Sequence, residues 1–169
     1  MKKGISLIEL IITMAVIGII AGVSLANYTR IRSQGVLEQE TAKVVNALSD
    51  AINTSLSPRP DGIDFTEYCG IGVRIQNASN EIQLIEYQEA GGCDTLSEGT
   101  SIDSITLGQS EIQISGNSQY TIRFLSPFAE VEFDPNPLGG VVSFDVVDST
   151  DSSISKTITV DSQGIINVQ

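Results

Sequence analysis

The chain has no histidine, no tryptophan, two cysteines, and no proline before Pro58. Without histidine, Ser/His/Asp and Cys/His catalysis are excluded, and so are histidine-ligated metal sites. Two cysteines cannot complete a zinc site on their own. Charge is missing as well. From Ile5 to Thr29 the only charged residue is Glu9, and from Leu10 to Thr29 there is none. Bases are scarce throughout: 9 Lys and Arg stand against 21 acids, for a net charge of −12. Residues 58–169 hold 17 of those acids and 4 bases, a net of −13 by subtraction. Such a segment repels nucleic-acid phosphates, so non-specific nucleic-acid binding by it is not expected. It suits solubility or a basic partner.

What the chain does have is a long apolar run behind Lys2 and Lys3. About 20 apolar residues cross the hydrocarbon of a bilayer, so residues 5–29 read as a single membrane-spanning helix. The two lysines are expected on the cytoplasmic side, with the rest of the chain outside. A length of 169 residues fits one such helix plus one modest domain. Glu9 is out of place, because a carboxylate in a spanning helix costs ~2.5–3.5 kcal/mol on insertion scales and marks a functional site by default. No Lys, Arg or His lies within the segment to pair with it. A cut after Gly4 would create a partner: the free α-amine of Ile5, cationic at neutral pH with an unperturbed pKa of about 8. Ile5 lies four residues before Glu9, and the pairing is open to one subunit or to neighbours. Gly18 and Gly22 form a Gly-x-x-x-Gly pair that permits close helix contact.

Residues 30–57 continue the helix in amphipathic form. Leu37, Val44, Leu48 and Ala51, with Val45, Ile52 and Leu56, recur at helical steps and predict one apolar stripe. Glu38, Lys43, Asn46, Ser49 and Asn53 occupy the other side. Ser57-Pro58-Arg59-Pro60-Asp61-Gly62 then breaks the helix. From there period-two patterns take over: Ile71/Val73/Ile75, Ile82/Leu84 on to Tyr87, Ile105/Leu107, Ile112/Ile114, Tyr120/Ile122/Phe124, Val131/Phe133, Val142/Phe144/Val146, Ile158 to Val160, and Ile166/Val168. Short strands at this spacing predict antiparallel sheet, covered in part by the amphipathic helix, hence an α+β fold. In an exported domain Cys69 and Cys93 most simply form one disulfide, closing a loop of about 25 residues worth ~3–4 kcal/mol in the chain-entropy model; two free thiols are the alternative. Asp145, Asp148 and Asp151, spaced by three, with Asp134 and Asp161, are the acids a calcium ion would use, but the twelve-residue calcium-loop pattern is absent and no metal site is expected.

Lys3-Gly4 followed by Ile5-Ser6-Leu7-Ile8-Glu9-Leu10-Ile11 resembles the processing signature of type IV prepilins and pseudopilins, over roughly the first 30 residues. The resemblance implies a 1–4 leader, cleavage between Gly4 and Ile5 by a prepilin peptidase, N-methylation of Ile5, and a docking role for Glu9 in filament assembly. It implies further partners: other pilin or pseudopilin subunits, an inner-membrane assembly platform, and lipid before assembly. The helix of residues 5–29 would join a filament core, and 58–169 would form an extracytoplasmic β-rich domain. Ile5 stands where the family most often has Phe, and a Cys69–Cys93 bridge lies earlier than in many pilins. Gly139-Gly140-Val141-Val142 and Ile158–Val168 are similar to the strand order of H-type minor pseudopilins and their minor-pilin relatives. The function implied is a structural, non-enzymatic filament subunit without a cofactor. The competing reading is a secreted β-rich binding module with an ordinary signal peptide, cut at Ser24-Leu25-Ala26 before Asn27.

Overall fold

A computed structural model describes residues 7–57, 68–88, 99–126, 128–137 and 139–169, with residues 23–27 and 29 described by backbone alone. The chain forms two compact units, Met1–Gly35 and Val36–Gln169. One helix, α1 (Leu7–Leu56), enters both. Nine strands follow in the second unit: β1 (Tyr68–Gln76), β2 (Glu81–Gln88), β3 (Thr100–Thr106), β4 (Ser110–Gln113), β5 (Gln119–Leu125), β6 (Glu130–Asp134), β7 (Val141–Asp148), β8 (Ser155–Asp161) and β9 (Ile166–Val168). The fold is α+β, as the change of hydrophobic period predicts.

From Leu10 to Gly22 α1 carries no charge and is apolar on every side. Leu7, Ile8, Ile11, Ile12, Met14, Ile17, Ile19 and Ile20 are all exposed. Among the described residues no helix is long and apolar enough to cross a membrane. The span expected over 5–29 lies only partly within the described residues. Residues 5 and 6 and the side chains of 23–27 and 29 lie outside the described residues.

In the second unit the stripe on α1 is real but turns differently at its end. Leu37, Val44, Ala47, Leu48 and Ala51 are buried, with Val45 and Ile52 partly so. Leu56, expected on the stripe, is 51% exposed, and Ser55 is buried in its place. The reason is helical phase: from Ala51 the next position one turn on is Ser55, at 3.6 residues per turn. Ser55 is accommodated because its hydroxyl donates to the Ile52 carbonyl at 2.7 Å. Thr41 does the same to Leu37 at 2.7 Å. Glu38, Lys43, Asn46 and Asn53 are exposed as predicted, whereas Ser49 is half-buried.

The strands make two antiparallel sheets, one ordered β3-β2-β1-β5-β6 and one ordered β4-β7-β8-β9. The turn after β1 joins them: the Ala78 N–H donates to the Ile112 carbonyl, the Ile112 N–H to the Ser79 carbonyl, each at 2.7 Å, and the Ile114 N–H to Asn77 Oδ1 at 2.8 Å. The inner faces meet the helix stripe in one core. Ile71, Val73, Ile75, Ile122 and Phe124 come from the first sheet, and Val142, Phe144, Val146, Ile158 and Val160 from the second. Each such side chain contributes ~1.5–3 kcal/mol by leaving water.

β2 alternates without a break against β1: Ile82 faces the main core, and Ile85 and Tyr87, of the other parity, pack with Cys69 in a second, smaller cluster. The register shift between Leu84 and Ile85 lies on the β3 side, where Ile102 is passed over. Gly72 makes room for this cluster, since a Cβ there would lie 2.7 Å from the Tyr87 ring. The Arg123 guanidinium stacks over the same ring, 5.2 Å from its centre, and pairs with Asp134 at 2.8 Å.

Candidate functional site

Glu9 stands in the first described turn of α1, exposed and flanked by exposed Leu7, Ile8, Leu10, Ile11 and Ile12. It is a single carboxylate on an otherwise apolar surface. Gly4 and Ile5, the expected cleavage and methylation positions, lie outside the described residues. Gly18 and Gly22 each have open space where a Cβ would stand, with no atom within 4 Å. They form a notch in the helix surface that no described part of this chain fills. A helix apolar on all sides needs apolar surroundings, either lipid or other helices. An ionised acid on such a helix is costly there, and a cation beside it offsets the cost.

Cys69 is fully buried against Ile85 and Tyr87, and no cysteine among the described residues is free. Cys93 lies outside the described residues, and the Cys69–Cys93 pairing stays an expectation.

The five aspartates considered for calcium are committed to local work. Asp134 holds Arg123. Asp145 accepts from the Thr157 hydroxyl at 2.6 Å. Asp148 Oδ1 accepts the Thr150 N–H at 2.8 Å and the Asp151 N–H at 3.2 Å, and so shapes its own loop. Asp151 accepts from Ser153, and Asp161 from the Gln163 and Ile165 amides. Among the described residues no three metal-ligating side chains converge.

Glu40 belongs to the stripe although it is not apolar. This carboxylate is 7% exposed on the core side of α1. It accepts the Gly108 N–H at 3.1 Å and the Lys43 ammonium at 3.1 Å on each oxygen. It therefore ties the helix to the β3–β4 connection. Its spacing was a signal: three after Leu37 and four before Val44, it falls on the apolar stripe.

Comparisons with known proteins come to rest on the same stretch. Residues 1–25 match the family model described as the prokaryotic N-terminal methylation motif. No curated protein sequence matches the chain. Among solved structures the chain is similar to the type IV minor pilin FimU of Pseudomonas aeruginosa, at 10% identity over 80% of this chain and 91% of that one, with a TM-score of 0.42.

Proposed function

From the N-terminal methylation motif that residues 1–25 carry, we propose that this chain is a structural, minor subunit of a type IV pilus or a type II secretion pseudopilus. The motif is the observation that carries the reading. The lone Glu9 on an all-apolar helix supports it, because filament assembly gives that carboxylate a use that a secretion signal does not.

In this reading the precursor sits in the cytoplasmic membrane as a single-pass protein with Lys2 and Lys3 inside. Prepilin peptidase cuts Gly4–Ile5 and methylates Ile5. The new amine stays basic after methylation, and in a low-dielectric setting it attracts a carboxylate strongly. Glu9 offers that carboxylate to a neighbouring subunit, which sets the axial register as the helix leaves lipid for the filament core. The Gly18–Gly22 notch lets neighbouring helices approach there. The acidic β-rich unit faces outward, with Cys69 and Cys93 bridged. Its role in this reading is to pack; the chain has no histidine to serve a nucleophile as base.

Glu9→Val tests this directly in the native host. The variant is expected to be made, cut and held in the membrane, and to be missing from sheared filaments. Its normal recovery in filaments would refute the docking role.

A further inference from the structure

Past its apolar stretch, α1 carries a short basic turn. Tyr28, Arg30, Ile31 and Arg32 are all exposed, Tyr28 by 66%. The two arginines are the only charged residues between Glu9 and Glu38. Neither makes an ion pair or a side-chain hydrogen bond among the described residues. The buried stripe of the helix begins only at Leu37.

Position along the helix gives this turn its use. Tyr28 lies 21 residues beyond Leu7 by subtraction, which is ~32 Å of helix. The hydrocarbon of a bilayer is ~30 Å thick. A helix that enters it near Leu7 therefore leaves it near Tyr28. Tyr28 is the one aromatic residue of α1, and tyrosine gathers at that boundary because its ring is apolar and its tip polar. The arginines follow at once, on the outer side. Basic residues there run against the rule that gathers Lys and Arg on the cytoplasmic side, a rule that Lys2 and Lys3 already meet. Orientation therefore does not account for Arg30 and Arg32. Phosphate does: a guanidinium offers it two parallel N–H bonds.

We propose that Arg30 and Arg32 bind phospholipid phosphates of the outer leaflet, with Tyr28 at the acyl boundary, and so hold the helix at a fixed depth. Two residues apart on a helix is ~200° around it, so the arginines reach separate headgroups and grip from two sides. Tyr28 and Arg32, one turn apart, share a side, and the ring lies in the boundary below the guanidinium. A second copy lying level with the first does not supply the anion, because it has no acid from Leu10 to Leu37. The inference rests on the single-pass membrane reading and adds to it the lipid group that the chain engages.

The test uses the full chain, isotope-labelled at arginine and reconstituted in vesicles of phosphatidylglycerol and phosphatidylcholine in phosphate-free buffer. Solid-state NMR reads the dephasing of arginine Cζ signals by lipid phosphorus. Two of the chain's five arginines are expected in contact, so about two fifths of the signal dephases. Arg30→Gln combined with Arg32→Gln is expected to abolish that fraction. No dephasing in the parent chain, or dephasing that survives the double variant, would overturn the proposal. A second measurement separates it from the reading beneath it. The chain has no tryptophan, so Tyr28→Trp introduces a single emitter. Its fluorescence is expected to be quenched most by lipids brominated near the headgroup. Such quenching without arginine dephasing overturns the phosphate contact alone, and stronger quenching from bromines at the chain ends overturns the depth. Emission that no brominated lipid quenches overturns the membrane-spanning reading with them.

Discussion

Glu40 makes the sharpest case at the scale of one residue. Its carboxylate has two partners of unequal weight. The Gly108 N–H is held in a part-buried bond, whereas Lys43 is 46% exposed and its ion pair is screened by water. Glu40→Ala leaves the Gly108 N–H without its acceptor and is expected to cost ~1–3 kcal/mol. Glu40→Gln keeps an acceptor oxygen and gives up only the exposed pair, so it is expected to cost under ~1 kcal/mol. Denaturant unfolding of the full chain in detergent, followed by a signal from the β-rich unit, measures the difference. Equal losses would mean that the ion pair within the helix, not the bond to Gly108, carries the stabilisation. The stripe was legible in the sequence, and this residue on it was not, because a carboxylate at an apolar position is explained only by an amide 68 residues away.

At the scale of elements, the first sheet carries a core on each face. Ile71, Val73 and Ile75 face the helix, and Cys69 with Ile85 and Tyr87 forms the second cluster. Gly72 lies under the Tyr87 ring, which is 3% exposed and has little freedom to give way. Gly72→Ala is therefore expected to destabilise by ~1–3 kcal/mol through overpacking, and to disturb the Arg123–Tyr87 stack. A neutral result in the same unfolding assay would show that the ring has room to move. The sequence made the strands legible through period-two patterns, and β1, β5 and β7 keep them. It did not reveal that the second face of β2, with Ile85 and Tyr87, is also covered, because Cys69 reaches that face only through the irregularity between Tyr68 and Gly70 in β1. Leu56 fails for another reason. Its residue type fits the stripe, but its angle on the helix does not.

At the scale of the whole chain, two kinds of surface are matched to two kinds of surroundings. The first unit offers an apolar helix with one acid, and the second an acidic β-rich body. The apolar helix and its acid were readable from residues 5–29 alone, because a charge in an apolar run is conspicuous in any fold. The measurement that decides the account is the N-terminal mass of the protein recovered from its native envelope. The account predicts a mature chain beginning at N-methylated Ile5. A chain beginning at Asn27, the product of an ordinary signal peptide, or an uncut chain beginning at Met1 would contradict it.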